Sequence, residues 1–296
     1  MSKKSIFNAS FEESLNLEDD TASRGFIERN LEELREKEKY RGTLKSYIWL
    51  IILTILFVFG LNWAIYKMSG YFTGYLKEKM LQPVIFNFLP SWLFWLLVII
   101  WLLLVLLGKR FYQQFILVYR GQFHIFVTYI FLLLIELNLF FLTCFVGMFG
   151  LLVTFSLLLV NVYLIYLIFR NRYKNLRYIM YSETRKTEQK MNVLISKIVN
   201  NFLVILGLLS LFWLGFKTFV NVEVDYSLKV LGIIATWFVS NILFIIFESY
   251  IIFPFMLRGF YRLKYPEEYR AWEGKSLEEW YGVKYLKKHK ELTENR

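Results

Sequence analysis

One cysteine, two histidines and four prolines in 296 residues leave little material for several common kinds of protein chemistry. A lone thiol, Cys144, makes no intrachain disulfide and no thiolate metal cluster. His124 and His289 each lack the second histidine or carboxylate at the spacing of a zinc site, so neither a metal nor any cofactor is expected. No Gly-x-Ser-x-Gly elbow and no phosphate-binding glycine loop occurs, and the chain is not expected to be an enzyme. Acidic charge is also short, with 24 Asp and Glu against 35 Lys and Arg, a formal net charge of +11. That excess raises nucleic acid as a partner. The cations, however, are mixed with acids and gathered at the ends of apolar stretches, and no nucleic-acid module is present, so no nucleic acid is expected.

What the chain has in quantity is apolar length. Hydrophobic residues make up 57% and aromatic residues 20% of it. Six stretches stand out: Tyr47 to Tyr66, Trp92 to Leu107, Ile125 to Val146, Leu151 to Phe169, Ile198 to Phe216 and Val230 to Phe253. A hydrocarbon core about 30 Å thick needs roughly 20 helical residues, with about 17 to 25 tolerated. Five of the six meet this directly. The second is short, but the run PVIFNFLP from Pro83 to Pro90 precedes it, and two prolines make that run an interfacial or re-entrant approach rather than a straight helix. Helices apolar on all sides leave no wet face for a soluble fold. The expected fold class is an all-α membrane protein with six transmembrane helices: an N-terminal tail (1–46), a transmembrane domain (47–256) and a C-terminal tail (257–296). The first stretch begins too late for a cleaved signal peptide and would act as an uncleaved anchor.

Lys and Arg placement sets the expected orientation, because cytoplasmic loops retain positive charge. With the N-terminus inside, 30 of the 35 cations fall on inner segments, leaving Lys67, Lys77, Lys79, Lys217 and Lys229 outside. Both termini are therefore expected in the cytoplasm, where the cations meet anionic lipids of the inner leaflet. The outer surface reduces to a loop from Lys67 to Ser91, a tight turn at Gly147 to Gly150, and a loop from Lys217 to Lys229. The Gly70 and Gly74 pair falls in the first of these. An aromatic-, lysine- and isoleucine-rich style of this kind is common in bacterial membrane proteins, and on composition alone a bacterial cytoplasmic membrane is the expected location.

Three inner segments carry pattern. Residues 1–22 are polar without sustained period and are expected to be disordered, after which Ile27, Leu31 and Leu34 mark a short amphipathic helix. Neither glycine nor proline occurs from Leu151 through Leu206, so the fourth and fifth helices are expected to extend inward as a hairpin with its turn at Ser182 to Thr184. Its cations Arg172, Lys174, Arg177, Arg185 and Lys186 form a candidate docking or membrane surface. In the tail, Pro266 suits the first turn of one helix and Gly274 its end, while Ser276 and Glu279 form a capping box for a second reaching about Leu286. Trp272, Trp280 and Tyr281 make these helices amphipathic, either lying on the inner leaflet or packing against the hairpin or a partner. Lys109 to Phe123 is a further interfacial aromatic stretch.

Polar groups inside the spans are the remaining signal. Glu136 lies near the middle of the third stretch, where a charged carboxylate costs at least about 2.5 to 3.5 kcal/mol. It needs a partner or a proton, and Asn138, two residues on, is on the wrong face to supply one. Glu248, Asn161 and Asn241 complete the candidate intramembrane site, with Asn62, Asn200 and Asn201 as further amides. As structural glue they fit a non-catalytic interaction protein, either an accessory subunit of a membrane complex or one that neutralises a membrane-active polypeptide, and a membrane-protein partner is expected. As a relay, Glu136 would centre an ion- or proton-coupled transporter or channel.

Overall fold

The computed structural model describes residues 4–28, 44–79, 86–181 and 226–294, and among these every regular element is a helix. Four helices are long and apolar enough to cross a membrane: Ile51–Tyr71, Ser91–Gly108, Gln114–Met180 and Leu231–Lys264. Their large apolar side chains point outward, Leu152 at 84% and Leu159 at 69% exposure among them. So much exposed hydrocarbon is tolerable only against lipid or another apolar surface. The first, second and sixth apolar stretches each fall on one of these helices, and the third and fourth share Gln114–Met180. At 1.5 Å per residue that helix would run about 100 Å, far beyond a bilayer. Gly150 interrupts it (φ 77°, ψ 173°), a backbone conformation open to glycine and costly for other residues. Within its α-helical part, Ile130–Met180, the lengths on either side of Gly150, 130–149 and 151–180, are roughly 30 and 45 Å. The expected turn at Gly147 to Gly150 thus reduces to one residue. The fifth stretch, the hairpin turn and the inner-loop cations Arg185 and Lys186 lie outside the described residues, as do Leu31 and Leu34.

The chain divides into two compact units, one of residues 1–30 with 163–258 and one of 31–162 with 259–296. In the first, the N-terminal segment corrects the expectation of disorder. Ser10 caps Phe11–Leu15 through a reciprocal capping box with Glu13, a 3-10 turn follows at Asn16–Asp19, and residues 21–28 are helical. Ile6, Leu17, Ala22 and Ile27 are buried, so the segment has an apolar face despite its polar composition. It is stitched to the rest of its unit by Asn16 Nδ2 donating to the Met180 carbonyl (2.8 Å) and Tyr181 OH donating to the Ser5 carbonyl (2.8 Å). Phe26 meets Phe247 and Phe255 edge-on.

In the second unit, Val58, Ile65, Leu89, Phe94, Val98 and Leu133 form the core. Residues 44–79 are helical throughout, with a π-helical stretch at Ile55–Asn62, so the expected outer loop from Lys67 begins as helix and Gly70 and Gly74 lie within it. No proline occurs before Pro83 to stop it. Residues 86–90 are non-helical, as the two prolines predict. Their backbone is served by side chains: Phe88 N–H donates to Thr143 Oγ1 (3.0 Å) and Leu89 N–H to Asn87 Oδ1 (2.9 Å), while Ser69 Oγ donates to the same Asn87 oxygen (2.8 Å). Irregular backbone in an apolar setting needs such partners.

The tail also folds within this unit. Pro266–Trp272 and Leu277–Tyr281 are helices, the latter capped by Ser276 and Glu279 as expected, but Gly282 (φ 84°) separates it from Val283–Leu286. Trp280 stacks on Phe115 (4.6 Å, 10°) and Tyr112 packs against Tyr285. Its contact is thus the aromatic stretch at 112–119. Gly259 admits this packing, since a Cβ there would stand 2.7 Å from Tyr119 Cδ1.

Candidate functional site

Glu136 is fully buried and has its partner on the first long helix rather than on its own. Asn62 Nδ2 donates to Glu136 Oε2 (2.8 Å), and Tyr129 OH donates to Asn62 Oδ1 (2.8 Å). The amide is used at both ends, which fixes its orientation. Asn62 closes the π-helical stretch Ile55–Asn62, and Tyr129 closes another at Phe123–Tyr129. Hydrogen bonding at i→i+5 rotates the residues that follow relative to an unbroken α-helix, so both stretches bear on how the two side chains meet. Glu136 Oε1 has no hydrogen-bond partner among the described residues. Asn138 is elsewhere, donating to the Leu134 carbonyl of its own helix (2.8 Å), as its position two residues on predicts.

A second buried centre lies in the first unit. Arg172 is 0% exposed, which corrects its assignment to a docking surface. Its Nη2 donates to Asp20 Oδ2 (2.6 Å) and to the Tyr250 carbonyl (3.2 Å), and its Nε donates to the Ser249 carbonyl (3.3 Å). The guanidinium lies over the Tyr250 ring, 4.7 Å from its centroid. Pro254 accounts for the two carbonyl acceptors. It has no N–H to give to the fourth residue before it, Tyr250, or to the fifth, Ser249. The helix answers with a π-helical stretch, Glu248–Ile252, and continues through the proline, so the C-terminal part of the sixth stretch is a widened turn bonded from the side by arginine. Ser23 Oγ donates to Asp20 Oδ2 (2.5 Å), and Arg258 Nη2 donates to the Leu17 carbonyl (2.6 Å) beside it. Arg172 Nη1, Asn175 Nδ2 and Glu248 Oε1 are buried without partners among the described residues.

The other surface candidates divide. Lys174 and Arg177 line a groove of about 470 Å³ with Lys4, Arg170, Tyr166 and Tyr173. Trp272 is exposed, whereas Trp280 and Tyr281 are buried and serve the fold of the tail: Tyr281 OH donates to Glu267 Oε1 (2.8 Å), and its phenol is pushed up by burial and by that carboxylate. Arg262 lies over the rings of Tyr119, Tyr269 and Trp280 and pairs with Glu273 at 2.5 Å. Asn241 donates to the Trp237 carbonyl (2.9 Å), and Asn161 Oδ1 is buried without a partner among the described residues. Asp20, Tyr129 and Lys4 were not legible as site residues. Tyr129 had one signal, its position two helical turns before Glu136 and so on the same face. Asp20 had another, the Ser10 and Glu13 capping box that starts the helices leading to it.

Among the described residues no group of three or more His, Cys, Asp or Glu side chains is placed to hold a metal ion. The class defined is an all-helical protein carrying membrane-length apolar helices with two buried polar centres. Compared with known proteins, the chain matches no family model, no curated sequence and no solved structure.

Proposed function

We propose that this is a multi-pass membrane protein, six-spanning with both termini in the cytoplasm, that acts by binding rather than by catalysis. It would serve as an accessory subunit of a membrane complex or neutralise a membrane-active polypeptide. The observation that carries this is how the polar side chains within the apolar helices are used. Asn62 spends its amide tying Glu136 to Tyr129, and Arg172 spends its guanidinium on Asp20 and two backbone carbonyls. Interhelical ties of this kind hold a scaffold together. The test is isolation of the full chain from its native membrane in mild detergent. A stoichiometric membrane-protein companion is expected, and a chain that always purifies alone, with no effect on any membrane-active polypeptide, would sink the proposal.

A second reading has its own observation. Glu136 Oε1 and Glu248 Oε1 are buried acceptors without partners among the described residues, as carboxylates that receive a proton or cation would be. Under it, proteoliposomes carry an ion or proton flux that Glu136→Gln abolishes while the thermal midpoint stays near the parent value. Absence of flux for protons and for Na⁺ or K⁺ returns Glu136 to a structural role.

A further inference from the structure

We propose that the groove at Arg170, Lys174 and Arg177 is a binding site for the phosphate of one anionic phospholipid. The proposal goes beyond the partner reading and stands whether or not a companion protein exists, because it needs only a bilayer around the helix.

Position is the first argument. Arg170 is the first charged residue after Glu136 along the chain, so it marks where the apolar helix leaves the hydrocarbon. Arg170, Lys174 and Arg177 follow one another at i, i+4 and i+7, which stacks their side chains on one face about one turn apart. Just before them on the same helix, Tyr163 and Tyr166 are exposed at 61% and 54%, with Leu167 beside them. Apolar and phenolic surface followed by cationic surface, read along one helix face, matches a lipid read from acyl chain to phosphate.

Charge is the second. The Arg170 guanidinium has only the Tyr166 ring, 5.9 Å from its centroid, and Lys174 has no ion pair or hydrogen-bond partner among the described residues. Lys4, at the groove wall, is already matched by Glu13 at 2.9 Å. That ion pair neutralises Lys4 and leaves Arg170 and Lys174 to carry the positive potential. Both are exposed, whereas Arg172 between them is turned inward to Asp20, so the helix sorts its cations by face: one for the fold and a row for the surface. A phosphodiester between two cations one turn apart accepts from both, a geometry that a zwitterionic lipid offers with its own ammonium competing.

The test is native mass spectrometry of the full chain in detergent, titrated with phosphatidylglycerol or phosphatidylcholine, with inorganic phosphate as a separate arm. One phosphatidylglycerol is expected to bind in preference to phosphatidylcholine. Arg170→Gln with Lys174→Gln should weaken it about 30-fold, from about fivefold per cation, the equivalent of ~1 kcal/mol each. Arg170→Lys with Lys174→Arg should restore it, which separates lost charge from lost folding. Lys287→Gln with Lys288→Gln in the tail should leave it unchanged. Equal binding of the two lipids overturns the proposal, as does phosphatidylglycerol binding that survives the double glutamine variant. Equal protection by inorganic phosphate would make this a soluble-anion site and overturn it too. So would a co-purifying acidic polypeptide lost with the double variant while lipid retention is unchanged.

Discussion

Asn62 gives its N–H to one neighbour and its carbonyl to another, and so joins a central carboxylate to a phenol. Replacing it with leucine keeps the volume and removes both functions. Glu136 Oε2 is then left buried and unsatisfied, at about 1 to 3 kcal/mol for such a group, and the half-buried Tyr129 OH loses its acceptor. Asn62→Leu should therefore lower the thermal midpoint in detergent, and adding Glu136→Leu should return part of the loss, because an apolar pair is cheaper in lipid than a stranded carboxylate. The coupling expected from the full double-mutant cycle is about 0.6 to 1.7 kcal/mol. A strictly additive cycle would mean that the 2.8 Å contact contributes nothing to stability.

At the scale of elements, the first unit turns on a proline inside a helix. Pro254 withholds an N–H, the helix widens at Glu248–Ile252, and the carbonyls of Ser249 and Tyr250 take their donors from Arg172 on another helix. Asp20, brought in by the N-terminal segment, balances the charge. Removing one side of a buried pair strands the other. Arg172→Met should cost about 3 to 5 kcal/mol, and Asp20→Asn combined with it should recover much of that. Chemical denaturation of the two variants measures this, and a double variant less stable than Arg172→Met would show that Asp20 is held by something else.

A smaller element offers a pH test. Hydrogen bonds from the Ser276 backbone and hydroxyl hold Glu279 below its ordinary value of 4.5. A depressed folded-state pKa means the capping box stabilises above that value and fades as pH falls through the lower folded one. Ser276→Ala should therefore lower the thermal midpoint at pH 7 and differ progressively less from the parent below pH ~4.5. A gap that stays constant with pH would remove Glu279 from the explanation. The sequence announced this cap through its Ser-x-x-Glu spacing, and apolar runs announced the long helices. The same spacing occurs at Ser10 and Glu13 within a polar stretch that composition alone reads as disordered, so the N-terminal helices and Asp20 are not evident from composition. Arg172 was misplaced for a related reason. A cation count treats every arginine after a span as surface charge, whereas burial depends on which face it occupies and on a partner 152 residues away.

For the whole molecule, the proposed arrangement across a bilayer rests on charge asymmetry, and the positions of individual cations make it measurable. Lys67 lies over the rings of Trp63 and Tyr66, 4.8 and 5.6 Å from their centroids, an aromatic and cationic cluster suited to a membrane interface. Lys174 lines the groove beyond the fourth apolar stretch, and Lys287 is exposed in the tail. Cys144 is the sole cysteine and is buried, so Cys144→Ala gives a background in which one introduced thiol reports one place. In that background Lys67→Cys should react with a membrane-impermeant maleimide in intact cells. Lys174→Cys and Lys287→Cys should react only after permeabilisation, because the proposed orientation puts 30 of the 35 cations on their side. Labelling of Lys174→Cys in intact cells, with Lys67→Cys protected, would invert the protein. The groove would then meet the outer leaflet, and the lipid preference argued from its charge would lose the anionic surface that gives it a ligand.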